Sequence, residues 1–168
     1  MFIKLQKGDE INILAPGSFI DKEDDLKKGI EILEKWGLKI RSNKSLLNRF
    51  GYFAGDDLTR FAELEKSKDS KLIIFAKGGW GSARLLEKKP TWGNGLMLGF
   101  SDTCSLLLSK YTGGYHGSIH GPMVTSLSRE PEWSLVRLRN LLFEGYVDDI
   151  KGIPLKEGIA KGEIITSN

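Results

Sequence analysis

One cysteine and two histidines in 168 residues remove a good deal of chemistry at once. A lone Cys104 excludes an internal disulfide and a cysteine-based zinc site, and it reads as a small buried thiol on an apolar helix. No apolar run is long enough to cross a membrane, and Met1 to Glu10 lack the apolar centre of a signal peptide. The expected location is therefore the cytoplasm, with no membrane partner. Arginine-rich blocks are missing too. The 25 basic and 22 acidic side chains leave a net charge of +3 spread along the chain, which argues against a nucleic-acid partner and suits a small anionic substrate. The Walker lysine spacing and the dinucleotide glycine fingerprint are both absent, and there is no internal repeat or low-complexity tract.

What remains is an ordinary globular composition, 40% hydrophobic and 28% charged, at a length that suits one domain with a real core. Apolar runs alternate with helical periods. Ile11-Asn12-Ile13-Leu14 reads as a first strand ending at the Pro16-Gly17 turn. Asp21 to Trp36 is a helix, with Leu26, Ile30 and Leu33 at helical spacing, acidic residues in its first turn and Gly37 beyond its end. Leu38-Lys39-Ile40 is a second strand, residues 42–51 are polar and irregular, and Asp56-Asp57 leads a helix to about Ser67. Lys71 to Ala76 is a third strand, running into Lys77-Gly78-Gly79-Trp80-Gly81-Ser82 and a helix with Arg84, Leu85 and Leu86. Leu96-Met97-Leu98 is a fourth strand and Tyr115 to Pro122 a fifth with its exit. Pro131 to Tyr146 is a helix whose apolar face is Trp133, Val136, Leu138, Leu141 and Leu142; Trp36 and Trp133 are expected in the core. From Val147 the helical period is lost, although Ile150, Ile153, Leu155, Ile159, Ile164 and Ile165 recur. The expected organisation is an α/β domain over 1–146 and a linker or first strands over 147–168.

This alternation predicts an α/β fold, a mostly parallel sheet with helices on both faces, of the flavodoxin/Rossmann-like kind. Ligands of such sheets bind at the carboxyl ends of the strands, where the turns at Pro16-Gly17, Gly78-Gly79 and Ser101-Asp102 all fall. Ser101 stands between the fourth strand and a leucine-rich helix, the geometry of a nucleophile elbow. Only Gly99 of the usual flanking glycines is present, and spacing alone favours a helix N-cap. The meeting of three turns at one edge favours the elbow. The glycine loop is either a tight strand-to-helix turn or a cradle of N–H groups for an oxyanion or phosphate.

Four stretches together resemble the LD-carboxypeptidase family of serine peptidases, which includes the microcin-immunity peptidases. They are Leu14-Ala15-Pro16-Gly17-Ser18; Phe53-Ala54-Gly55-Asp56-Asp57 with Arg60 and Leu64; Gly78-Gly79-Trp80-Gly81-Ser82 with Arg84-Leu85-Leu86; and Gly99-Phe100-Ser101-Asp102 followed by His120-Gly121-Pro122-Met123. They stand in the family's order over nearly the whole chain. The resemblance implies a Ser–Glu–His hydrolase that needs no metal and no cofactor. Its partner is a small peptide, the murein tetrapeptide of peptidoglycan recycling, cut to release D-alanine; a homodimer is left open. Carried over by position, Ser101 is the nucleophile, and the backbone N–H groups of Asp102 and of the Gly78-Gly79 loop form the oxyanion hole. Trp80, Phe100, Arg84 and His120 are the candidates for a substrate pocket. For Arg84 an ion pair on its own helix is preferred to binding the substrate's terminal carboxylate, and for His120 a hydrogen-bonded place at the strand exit is preferred to a role as general base.

Three departures qualify the resemblance. Lys77 replaces the family's arginine, Thr166-Ser167-Asn168 stands where the family tends to have Gly-Gly-Asn, and the family's glutamate and histidine lie in a downstream domain with no counterpart here. The expectation is that this chain corresponds to the N-terminal half and is nearly inactive alone. The alternatives are a peptidyl-nucleotide hydrolase of the same family, a non-catalytic α/β binding domain, and a nucleotide-binding domain using the glycine loop.

Overall fold

A computed structural model of the protein describes residues 3–41, 43–153, 155–159, 161–162, 165 and 167. Five strands, β1 (Glu10–Leu14), β2 (Lys39–Ile40), β3 (Leu72–Phe75), β4 (Leu96–Gly99) and β5 (Ser118–His120), form one sheet in the order β2-β1-β3-β4-β5. Every pairing is parallel, with Leu14 opposite Phe75, Ile74 opposite Leu98 and Gly99 opposite His120. This is the doubly wound order whose direction reverses between β1 and β3, and the crevice beyond that reversal is where such folds bind ligands.

The strands alternate between two cores, as a period of two requires. Ile11, Ile13, Leu72, Ile74, Leu96 and Leu98 pack on one face. They meet α1 (Glu23–Lys35), α4 (Glu132–Glu144) and the 3₁₀ helix Val124–Arg129 through Leu26, Leu33, Leu127, Leu138 and Leu142. Leu14, Ile73, Phe75 and Met97 pack on the other face, against α2 (Asp57–Ser67), the 3₁₀ helix Ser82–Lys88 and α3 (Cys104–Thr112). The expected sheet with helices on both faces is thus the observed one. The Asp56 carboxylate caps α2 by accepting the Thr59 N–H at 2.7 Å, and Cys104 is buried. Among the described residues no helix is long and apolar enough to cross a membrane.

Two expectations about packing need correction. Trp133 is 68% exposed and Val136 is exposed as well. The buried stripe of α4 runs instead through Leu138 and Leu142, with Leu135, Leu141 and Phe143 beside it, so the helix is rotated from the assumed face. Trp36 does pack partly against the core. Gly29 seats α1 close against Val124. A Cβ there would collide with the Val124 carbonyl oxygen and stand 2.7 Å from Val124 Cγ1. Beyond Val147 the described residues carry no helix or strand, and Ile150, Ile153, Leu155 and Ile159 are exposed. Ser42, Ile164, Thr166 and Asn168 lie outside the described residues.

The close seat of α1 generates a prediction. Alanine normally improves a helix over glycine by roughly 0.5–1 kcal/mol. At position 29 the backbone collision should reverse the sign, and Gly29→Ala should destabilise by about 1–3 kcal/mol, read from the midpoint of urea unfolding. Trp133→Ser, on the bare face, should change stability by less than about 0.5 kcal/mol. A stabilised Gly29→Ala would show that α1 is not held this near residue 124.

Candidate active site

β4 ends against a crowded corner. A Cβ on Gly99 would stand 2.6 Å from Phe75 Cδ2 and collide with Thr103 Oγ1, so only glycine lets the chain turn here. Phe100 is extended and Ser101 takes φ +61 before a 3₁₀ turn, Ser101–Thr103, enters α3. Lys89 is the other non-glycine residue with positive φ among the described residues. That left-handed conformation costs a side-chain-bearing residue roughly 1–2 kcal/mol. It also overturns the N-cap reading. A capping residue sits in the extended region, and here Phe100 takes that place, with no side-chain cap at either helix start. Ser101 is half-buried rather than sunk in the core.

The glycine loop after β3 lies directly over this serine. A Cβ on Gly78 would stand 3.1 Å from Ser101 Cβ and 3.2 Å from Ser101 Oγ. The loop's position is set from two sides. Ser18, 2% exposed at the turn after β1, donates both its N–H and its hydroxyl to the Gly78 carbonyl, at 3.2 and 2.9 Å. No cis peptide occurs among the described residues, so the N–H of Gly79 points in the direction opposite to the Gly78 carbonyl and away from Ser18's donors. From the elbow, the Asp102 carboxylate accepts the N–H groups of Gly81 (3.2 Å) and Ser82 (2.9 Å) and the Ser82 hydroxyl (2.6 Å). The three turns expected at one edge do meet there. The sequence reading valued Asp102 for its backbone N–H and missed its side chain; the signal was an aspartate standing where an elbow usually has glycine.

Arg60 completes the frame and is the residue whose role was most underestimated. It is 3% exposed on α2. Its guanidinium donates to the carbonyls of Pro16, Gly55 (3.2 Å) and Gly81 (3.1 Å) and to the Asp57 carboxylate, with its Cζ 4.7 Å from the Phe53 ring centroid. Arg84 grips the same carboxylate through Nε at 3.0 Å and Nη2 at 2.5 Å. The hydrogen bond from Arg84, with the charge of Arg60 behind it, holds the Asp57 carboxyl below the usual carboxylate range against the opposing effect of burial. The ion pair expected for Arg84 therefore exists, but its partner is on α2, not on its own helix.

The other pocket candidates border the same corner. Trp80 is 59% exposed and leans on Phe53, ring centroids 5.5 Å apart. Phe100 is half-buried and meets the His120 ring edge-on at 6.3 Å. Lys77 pairs with Asp21 at 2.5 Å. Among the described residues no group of three or more His, Cys, Asp or Glu is placed to hold a metal ion. The corner supplies a strained hydroxyl, a close-lying glycine loop and fixed backbone dipoles. Neither His120, exposed at the end of β5, nor the exposed His116 was expected to serve as its base.

Comparison with known proteins agrees with this geometry. The family model described as the LD-carboxypeptidase N-terminal domain matches residues 11–121. A protein of Synechocystis sp. named as a carboxypeptidase is 36% identical over 99% of this chain and 57% of its own length. One of Bacillus subtilis named as a murein peptide carboxypeptidase is 29% identical over 98% of this chain and 56% of its own. The chain thus spans little more than half the length of these relatives. Among solved structures, an MccF-like protein from Bacillus anthracis superposes with TM-score 0.75 at 22% identity, covering 83% of this chain and 46% of that one. The wild-type microcin C7 self immunity protein MccF gives 0.72 at 23%, with the same coverage. At such identity these two matches speak for the fold.

Two predictions follow from the strained corner and its ion pairs. Ser101→Gly should relieve the backbone and stabilise the chain by about 0.5–1 kcal/mol, while Ser101→Ala, equally strained, should leave stability nearly unchanged; thermal unfolding of both variants checks this. Asp57 has a folded pKa below its unfolded one, so the unfolded chain binds the extra proton. Its contribution is complete above the unfolded value of about 3.9 and is lost as pH falls through the folded one. Asp57→Asn should flatten that acid limb in urea unfolding measured below about pH 4.5; an unchanged limb would remove the pair from the account.

Proposed function

The chain belongs to the LD-carboxypeptidase family, and on that premise we propose that it carries the nucleophile of a serine carboxypeptidase that cuts the L,D bond of murein tetrapeptide. The observation that supports this most is the left-handed Ser101 lying directly beneath Gly78. In this reading, Ser101 Oγ attacks the carbonyl of the penultimate residue. Its proton passes to a histidine, which a glutamate orients. Both belong to the family's second domain, outside the stretch matched here. The tetrahedral oxyanion rests on the N–H groups of Asp102 and of the Gly78-Gly79 loop, donors fixed before the reaction and hence effective in a partly dry site. The histidine returns the proton to the leaving amine, D-alanine departs, and water activated by the same base releases the tripeptide from Ser101. Trp80 and Phe100 wall the pocket, with Arg84 and His120 at its rim. The reaction belongs to peptidoglycan recycling in the cytoplasm.

Murein peptide is preferred to a peptidyl-nucleotide as substrate. The relatives matched at 29 and 36% identity are named as carboxypeptidases, one of them for murein peptide, whereas the MccF likeness concerns the fold.

The test is D-alanine release from purified murein tetrapeptide. The 168-residue chain alone should turn over at a rate lower by several orders of magnitude than the same chain fused to the part of the Synechocystis relative that follows the matched stretch. Ser101→Ala in the fusion should abolish release, by roughly three orders of magnitude or more. Activity that survives Ser101→Ala would sink the proposal.

A further inference from the structure

A cavity opens on the other side of β1 from Ser101, where the edge strand stops short. β2 pairs with β1 only at Glu10–Lys39 and Ile11–Ile40. The Arg41 N–H still donates to the Ile11 carbonyl at 2.9 Å, and then the backbone leaves the sheet. The next outward carbonyl of β1, that of Ile13, is met by the Asn43 side chain, Nδ2 at 3.2 Å. Between this departing loop, β1 and the flank of α2 lies a cavity of about 380 Å³, within the range of small-molecule sites.

Its lining is polar where the sequence pattern calls for an apolar residue. Asn12 lies in the middle of β1, 6% exposed, on the face that otherwise holds Leu14. Its Nδ2 donates to Ser67 Oγ at 2.5 Å, and Ser67 is itself 4% exposed. The other atom of that amide, Oδ1, has no protein donor among the described residues, and Asn12 is part of the cavity wall. Among the described residues no fully buried side-chain nitrogen or oxygen lacks a partner, so this oxygen opens onto the cavity, where it can accept from an entering donor. Around it stand Arg41, Lys44 and Lys66, against the single acid Glu63. Arg41 pairs with Glu10 and Lys66 with Glu63. Lys44 has no carboxylate partner among the described residues.

We propose that this cavity is a binding site, separate from the Ser101 corner, for a small organic anion that also carries an O–H or N–H donor. Its anionic group sits against Lys44 and its donor against Asn12 Oδ1. Carboxylates and phosphate esters share this chemistry, and titration of the 168-residue chain separates them. Amide shifts are followed by NMR at low salt with D-lactate, glycerol 3-phosphate and, as a control without the neighbouring carbon-bound hydroxyl, inorganic phosphate. The expected result is saturable movement of the Asn12 side-chain amide and of the Ser45 and Ser67 N–H signals with one of the two organic anions, while Gly78 and Ser101 stay still. Asn12→Ala should weaken binding about tenfold, the worth of a hydrogen bond in a buried site. Lys44→Glu, an exposed change that leaves the core alone, should weaken it by at least a similar factor even if Asn12→Ala fails to fold. Saturation by D-lactate assigns a carboxylate, and by glycerol 3-phosphate a phosphate ester. No saturable shift up to about 10 mM of either would overturn the proposal. So would equal binding of inorganic phosphate that Lys44→Glu leaves untouched.

Discussion

One guanidinium ties the carboxyl edge of this sheet together. A charge as deeply buried as that of Arg60 persists only when its donors are matched by acceptors at good geometry. The acceptors are the carbonyls of Pro16, Gly55 and Gly81 and the carboxylate of Asp57. The three carbonyls belong to three separate connections: the exit of β1, the approach to α2 and the loop after β3. None of these segments has regular structure to hold it, so the shared cation makes them one unit. Asp57 is held in turn by Arg84, which extends the unit onto the 3₁₀ helix after the glycine loop.

The elbow depends on that unit. A left-handed serine survives only where its surroundings over-determine it. Ser101 has α3 following on one side and, on the other, the Asp102 carboxylate bound to Gly81 and Ser82. Gly81 is thus held at its N–H by Asp102 and at its carbonyl by Arg60. The loop cannot drift from the serine without breaking bonds to both. The fixed distance between Ser101 and the loop above it comes from one buried cation, Arg60, and one half-buried carboxylate, Asp102, rather than from the sheet, and such pre-setting is what the proposed acyl transfer would ask of a protein.

The two sides of β1 are put to different use. Toward β3, where the strand order reverses, its exit turn feeds the Ser101 corner through Ser18. Toward β2, the early end of the edge strand leaves a cationic cavity floored by Asn12. Both arise from the same topology, since a doubly wound sheet exposes its strand ends on one rim and an edge strand of two residues covers little of its neighbour.

Much of this was legible in order and period alone. Alternating apolar runs and helical repeats determined the α/β class, and turn residues after β1, β3 and β4 determined which rim carries the serine, because each is a local property of a few neighbouring residues. Trp133 was misjudged because period shows that a helix has an apolar stripe without showing which of two candidate stripes finds a partner. Only the tertiary structure decided that α1 is seated on Gly29, that Asp102 acts through its side chain, and that Arg60 and Ser18 hold the loops. Those facts rest on contacts between residues far apart in the chain, Gly29 with Val124, Ser18 with Gly78 and Asp102 with Ser82, and no local pattern encodes which distant carbonyl or carboxylate a buried donor will meet.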